Sequence, residues 1–140
     1  MVLTAVILSG IGLATSGYLV WKHYGPKRGP LVCPLGQSCD VVLDSKFGRL
    51  LGVRNEIIGL GYYVATLVLL AMALGGQALP FAVFGSQDPF GLAFLFSIPA
   101  ALSSIALTAL QHFVLRNYCS YCLLVNMVNV FLLFVLAAAR

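Results

Sequence analysis

Long apolar stretches alternate with short polar segments along this chain. Four stretches carry no charged residue, namely 2–21, 57–87, 90–115 and 118–139. Because about 20 mostly apolar residues are enough to cross the hydrocarbon core of a bilayer, each stretch is long enough to span a membrane. The second is too long for one straight crossing, and Gly75, Gly76 and Pro80 predict a turn that ends its helix by residue 79.

The pattern therefore predicts an all-α integral membrane protein, a four-transmembrane-helix bundle. We expect a single domain, 1–140, with spans over 2–21, 57–79, 90–115 and 118–139. Segment 22–56 is the one long loop. Since the number of crossings is even, both termini share one side of the membrane. The long loop and the short link at residues 116–117 then share the other side.

The composition excludes the main alternatives to a membrane protein. Hydrophobic residues make up 61% of the chain, and its mean hydropathy is +1.00. Charged residues make up 9%, whereas an ordinary soluble domain has about 25%. A disordered chain needs low hydrophobicity, so disorder is excluded as well.

Four cysteines form two pairs at the same predicted membrane face. Cys33 and Cys39 lie in the long loop, and Cys119 and Cys122 form a C-x-x-C at the start of the fourth span. Three alternatives are open for them: static disulfides or packed thiols, a four-thiolate zinc site, or a dithiol/disulfide relay. Five residues separate Cys33 from Cys39, more than zinc half-sites usually have. A C-x-x-C at a helix start favours the thiolate, and this favours the relay.

A relay needs a terminal electron acceptor. The chain has no glycine-rich nucleotide motif, and its C-x-x-C is not followed by the histidine of a c-type haem site. We therefore expect a lipid-soluble quinone beside Cys122. Asn55, Asn126 and Asn129 are candidate hydrogen-bond donors to its carbonyl oxygens. Each asparagine could equally well join two helices with no ligand.

Three linked motifs resemble the vitamin K epoxide reductase family in its short prokaryotic or archaeal form. The first runs from Cys39 through Ser45 to the aromatic-glycine pair at residues 47–48. The second is the Asn-x-x-x-Gly that starts at Asn55. The third is the C-x-x-C with Asn126 after it. The resemblance covers most of the chain.

The resemblance implies a bundle around a quinone, of ubiquinone or menaquinone type, capped by a short amphipathic segment over residues 39–53. It implies that Cys33 exchanges with a reduced thioredoxin-like or protein disulfide isomerase-like partner, that Cys39 passes electrons to Cys119, and that Cys122 reduces the quinone. Asn55 matches the family's quinone-binding asparagine, and Asn126 stands where animal members have tyrosine. The apolar side expected to face the bundle consists of Val42, Leu43, Phe47, Leu50 and Leu51.

Two departures from the family refine these expectations. Animal members have seven residues between the loop cysteines, and the five found here are typical of prokaryotic relatives that form disulfides. Many bacterial relatives carry a fused thioredoxin-like domain. This chain stops at Arg140, so we expect a separate redox partner, a lipid bilayer around the bundle and no nucleic-acid partner.

The charge bias predicts the orientation. Seven Lys and Arg residues lie on the cysteine face, against Arg140 on the other: Lys22, Lys27, Arg28, Lys46, Arg49, Arg54 and Arg116. The positive-inside rule then predicts an inverted protein whose cysteines face the cytosol. A cytosolic disulfide-forming enzyme suits hyperthermophiles, whose intracellular proteins are rich in disulfides. The alternative is a cysteine face outside the cytoplasm.

Two classes of function remain. The first is a thiol:quinone oxidoreductase that generates disulfides. The second is a non-enzymatic membrane protein with structural disulfides, such as a small transporter or assembly subunit. No charged residue lies in the middle of a predicted span, whereas ion and proton pathways usually need one, and this disfavours a transporter.

Overall fold

The structure is a computed structural model, and it describes residues 1–26, 31, 33–34, 39–50, 52–79 and 88–139, apart from the side chain of Leu50. The secondary structure comprises, in chain order, α1 (Val2–Tyr24), α2 (Cys39–Leu43), a 3₁₀ turn (Lys46–Gly48), β1 (Arg49–Leu50), β2 (Val53–Arg54), α3 (Asn55–Leu74), α4 (Pro89–Leu110), a π-helical turn (Gln111–Leu115) and α5 (Ser120–Ala138). The short elements from α2 to β2 are called the cap below.

Four of these helical segments are long and apolar enough to cross a membrane: Val2–Tyr24, Asn55–Leu74, Pro89–Leu115 and Ser120–Ala138. This confirms the predicted all-α membrane fold. The first helix continues three residues past the range expected from the sequence and ends at Tyr24, since a basic residue such as Lys22 is favourable in the last turn of a helix. The second helix ends at Leu74, where Gly76 takes a positive φ of 64°. Glycine adopts this conformation without steric cost, so the turn comes before residue 79.

The helices pack so that α1 lies against α3 and α5, while α4 lies against α5 and α3. One close approach depends on Gly12 in α1. A Cβ atom at this position would lie 2.1 Å from the ring of Tyr63 in α3. Small residues let membrane helices approach closely, and this contact buries Tyr63 completely.

Hydrogen bonds between side chains link three of the helices in the middle of the bundle. The Tyr63 hydroxyl donates to Asn129 Oδ1 at 2.5 Å, and Asn129 Nδ2 donates to Ser104 Oγ at 2.7 Å. These residues belong to α3, α5 and α4 respectively. The network satisfies polar groups that lipid could not, and it fixes the three helices to one another.

Candidate redox site at the loop end of the bundle

Cys119 is the N-cap residue of α5, and its own sulfur caps the helix. Its Sγ accepts a hydrogen bond from the Cys122 N–H at 3.3 Å. The π-helical turn after α4 carries Gln111, which is buried and whose Oε1 accepts from the Cys119 N–H at 3.1 Å. Arg116 then takes a left-handed conformation, φ 48°, that ends this segment. The C-x-x-C is therefore held at both its backbone and its sulfur.

The environment of Cys119 favours its thiolate. A hydrogen bond from the Cys122 thiol lowers the pKa of the Cys119 thiol, and backbone N–H groups of the first helical turn act in the same direction. Burial of the sulfur and the negative charge of Glu56 oppose this effect. The net direction is downward, as expected for a thiol at a helix N-terminus.

The loop cysteines are joined to each other. Cys33 and Cys39 form a disulfide with their Cα atoms 6.0 Å apart, while Cys119 and Cys122 are free thiols. Cys39 begins α2, and the neighbouring Asp40 carboxylate accepts from the Leu31 N–H at 3.3 Å. This contact ties the chain before Cys33 to the start of α2.

The two pairs meet in one apolar cluster. Its buried members are Leu19, Cys39, Val42, Leu43 and Cys119, and Cys33 and Cys122 pack against it. Cys39 and Cys119 are 0% exposed, whereas Cys33 and Cys122 are each half-buried. Each pair therefore has one fully enclosed cysteine, and the enclosed cysteines share a cluster although 80 residues separate them.

A buried arginine fastens the cap to the bundle. Arg54 Nε donates to Glu56 Oε1 at 2.6 Å, and its Nη2 donates to the Leu43 carbonyl at 3.4 Å. Asp44 Oδ1 lies 3.5 Å from the same guanidinium. Arg54 thus joins the end of α2, which begins at Cys39, to the first turn of α3.

Only one of the two carboxylate oxygens of Glu56 takes part in this contact. Its side chain is 1% exposed, and Oε2 has no hydrogen-bond partner among the described residues. The carboxylate also interacts electrostatically with both Cys119 and Cys122. Sequence reasoning treated Arg54 and Glu56 only as loop charges. The missed signal was an ionisable residue at the start of an apolar span, which is a candidate functional residue by default.

The predicted amide donors have protein partners. Asn55 Nδ2 donates to the Phe47 carbonyl at 2.9 Å, and this bond joins the cap to α3. Asn126 is buried, and its Nδ2 donates to Thr108 Oγ1 in α4 at 2.9 Å. Asn129 belongs to the central network. Asn126 and Asn129 therefore make the interhelical bonds that the sequence left open as an alternative. An amide nitrogen has two hydrogens, so each keeps further donor capacity.

Only part of the apolar side expected for the cap is buried in the structure. Val42 and Leu43 are buried, but Phe47 is 41% exposed. Phe47 is the middle residue of the short 3₁₀ turn, and this turn breaks the helical periodicity on which the expectation depended. The Leu50 side chain and Leu51 lie outside the described residues, as do Lys27, Arg28 and Arg140 from the charge count.

A cavity of about 450 Å³ opens at the opposite end of the bundle. Val2 from α1, Leu74 from α3 and Phe90 from α4 are among its lining residues. None of the four cysteines lines it, so it does not belong to the redox site.

Residues 3–137 match the Vitamin K epoxide reductase family. Comparison with curated proteins finds no match.

Proposed function

The chain belongs to the vitamin K epoxide reductase family, and from this premise we propose that it is a thiol:quinone oxidoreductase that generates disulfides de novo. Membership makes it a membrane-embedded thiol–disulfide oxidoreductase that works with a quinone. The finer proposal is that electrons pass from a thioredoxin-like or protein disulfide isomerase-like partner through Cys33 and Cys39 to Cys119 and Cys122, and then to the quinone.

One observation carries this order of transfer: Cys39 and Cys119 are both fully enclosed and share one cluster. A buried thiol cannot meet a protein partner, so the half-buried Cys33 is the better candidate for exchange with one. Thiol–disulfide exchange requires direct attack of a thiolate on a sulfur. The enclosed pair is therefore the natural junction between loop and bundle, and Cys122 remains for the acceptor.

The arrangement of the four sulfurs also suits a relay. Cys33 and Cys39 are placed to form a disulfide, and Cys119 and Cys122 form a second pair in which Cys119 Sγ accepts from the Cys122 N–H. The lowered pKa of Cys119 makes its sulfur a good leaving group in exchange. A pair of static structural disulfides would need neither a free C-x-x-C nor a thiolate-favouring helix start.

Two amides at the Cys122 end of the bundle suit a quinone. Asn126 lies one helical turn beyond Cys122 in α5, and Asn55 begins α3 at the same end of the bundle. Each has an amide hydrogen left for a carbonyl oxygen. We propose that these two amides, beside Cys122, hold the quinone, which accepts two electrons and two protons when bound. The chain itself supplies the thiols, the amide donors and the apolar side chains that exclude water from the site.

The direct test uses purified protein in detergent with reduced thioredoxin and decylubiquinone or menadione. The proposal predicts that wild-type protein oxidises the thioredoxin and reduces the quinone in equal amounts. Cys122→Ala is expected to lose quinone reduction. If wild-type protein reduced neither quinone, the result would contradict the proposal and favour a non-enzymatic role with structural disulfides.

A variant test addresses the order of the cysteines. Cys119→Ala removes the junction, so we expect it to form no disulfide between loop and bundle. A Cys33–Cys122 bond in this variant, identified by peptide mass spectrometry, would overturn the assigned order.

We further propose that the cysteine face lies in the cytosol. Lys22 and Lys46 support this orientation as charges at the loop end of the bundle. Arg54 counts for less, because it is buried and paired with Glu56. The test is alkylation of reduced Cys33 in intact cells by a membrane-impermeant maleimide. Slow labelling in intact cells with fast labelling after lysis is expected, and rapid labelling from outside would contradict the proposal.

A further inference from the structure

Oxidation of the Cys119/Cys122 dithiol releases two protons inside an enclosed site. The sulfur of Cys119 is fully buried, and Cys122 is half-buried against the same cluster. A thiol reacts only as its thiolate, so a group near the sulfurs has to accept a proton each time the pair is oxidised. The same group has to return one when the pair is reduced again.

Glu56 is suited to this task by its position and by its unused oxygen. It lies in the first turn of α3, with its side chain 1% exposed. Arg54 occupies Oε1, and this bond fixes the carboxylate, while Oε2 is enclosed without a hydrogen-bond partner among the described residues. An unsatisfied buried carboxylate oxygen costs free energy, and such an atom in a folded protein calls for an explanation.

Contacts of its partner place the carboxylate at the edge of the thiol cluster. Arg54, which holds Glu56 Oε1, also donates to the carbonyl of Leu43, and Leu43 shares an apolar cluster with Cys119 and Cys122. In agreement with this placement, the negative charge of Glu56 raises the pKa of the Cys119 thiol. Within the described part of the chain, the charged and titratable groups linked to Glu56 are Arg54, which also contacts Asp44, and the thiols of Cys119 and Cys122. Asp44 is mostly exposed, with 65% of its side chain accessible, so it is not a comparable proton acceptor inside the site.

On the basis of the proposed thiol:quinone function, we propose that Glu56 transfers protons to and from the bundle thiols. When the dithiol is oxidised, one S–H bond breaks and the proton moves to Glu56 Oε2. The two electrons of the dithiol pass to the quinone, and both protons leave the thiols for its two oxygens, one of them by way of Glu56.

The return step uses the same group in reverse. The Cys39 thiolate attacks Cys119 Sγ, the Cys39–Cys119 bond forms and the Cys119–Cys122 bond breaks. The electron pair of the broken bond leaves with Cys122 as a thiolate. The proton that the Cys39 thiol gives up on becoming the attacking thiolate passes to the Glu56 carboxylate and from there to Cys122, and this restores both the Cys122 thiol and the carboxylate.

Glu56→Gln separates this role from a structural one, because the amide oxygen can still accept from Arg54 while the base is lost. General acid–base groups typically contribute a factor of about 10²–10⁴. Quinone reduction by pre-reduced protein should therefore fall at least about 100-fold in stopped-flow mixing with decylubiquinone. Asp44→Asn is the matched control, since it removes the other acidic partner of Arg54, and it should react at the wild-type rate.

A second readout needs no quinone. The negative charge of Glu56 raises the pKa of the Cys119 thiol, so Glu56→Gln lowers this pKa further. Below that pKa the variant holds more thiolate than wild type, and N-ethylmaleimide should label its reduced bundle thiols faster. Labelling at Cys119 and Cys122 is followed by peptide mass spectrometry across a pH series. The proposal thus predicts faster alkylation and slower quinone reduction in one variant.

A merely structural role would loosen the site around the buried Cys119 and raise the alkylation rate at every pH without moving its pH midpoint, and that result would overturn the proposal. Quinone reduction at the wild-type rate in Glu56→Gln, or an equal loss in Asp44→Asn, would overturn it as well. If Glu56→Gln does not fold, Glu56→Asp takes its place, with an intermediate rate expected and a wild-type rate contradicting the proposal. Failure of wild-type protein to reduce any quinone would instead reject the proposed function itself.

Discussion

The two cysteine pairs sit on supports of very different rigidity. Cys119 and Cys122 belong to the start of α5, a 19-residue helix packed against α1 and α4. Cys39 begins the five-residue α2, and the cap that carries it is fastened mainly through Arg54 and Asn55. A short helix has little stability of its own. The bundle pair therefore has the more rigid support, and the loop pair has the less rigid one.

This difference suits a relay. One pair must stay close to the membrane acceptor, while the other has to reach two partners in turn. Loss of one pair should therefore change quinone reduction differently from loss of the other. Weakening the cap should likewise affect transfer from loop to bundle differently from weakening the helix packing.

The largest effect is expected from removing single cysteines of the two pairs. Cys119→Ala should lose oxidation of both thioredoxin and dithiothreitol, because the bundle pair is common to every route. Cys33→Ala should lose only thioredoxin oxidation, since a small dithiol can reduce the bundle pair directly. Quinone reduction is measured with each reductant. Equal losses with both reductants in Cys33→Ala would remove the functional distinction between the pairs.

The second-largest effect is expected when the contact that holds the cap on the bundle is removed. Arg54→Met leaves Glu56 buried without its partner, and breaking a buried ion pair in this way costs about 3–5 kcal/mol. Unfolding in detergent measures the cost, and transfer from loop to bundle should slow as the cap is released. Arg49→Met is the control, because Arg49 pairs with Arg54 in the hairpin but is exposed. Similar losses in both variants would contradict a specific role for Arg54.

A smaller effect is expected in the rigid region. Gly12→Ala places a methyl group 2.1 Å from the Tyr63 ring, and overpacking of this kind costs about 1–3 kcal/mol. Gly10→Ala in the same helix meets no atom within 4 Å and should be neutral. Thermal unfolding of the two variants makes the comparison. A loss of stability in Gly10→Ala as large as that in Gly12→Ala would contradict the role of the Tyr63 contact, because alanine itself has a higher helix propensity than glycine.

The smallest effect is expected at the central network. Asn129→Leu removes the bonds to Tyr63 and Ser104, and interhelical hydrogen bonds in membranes average about 0.6 kcal/mol, up to about 1.7. Ser104→Ala, which removes one of these bonds, should cost less. Quinone reduction should persist in both variants. Loss of activity without loss of stability would place Asn129 at the quinone instead.

The sequence predicted the bundle well because hydrophobic length alone decides which segments cross a membrane. It placed both cysteine pairs at one end because four crossings leave no other arrangement. The helix ends were less accurate, since Gly76 and the cap of α5 depend on local backbone geometry. Gln111 could not be assigned a role from spacing, because its bond to Cys119 depends on the π-helical turn, which the hydropathy pattern does not specify. Glu56 was missed because the pattern does not show that Arg54 and Glu56 are both buried.

The central claim is that Cys39 and Cys119 exchange a bond, and trapping that bond tests it most directly. In Cys122→Ala, the Cys119 sulfur has no resolving partner, so the mixed disulfide should accumulate. Peptide mass spectrometry of the oxidised variant should identify Cys39–Cys119. A Cys33–Cys119 bond, or no disulfide between loop and bundle at all, would contradict the account.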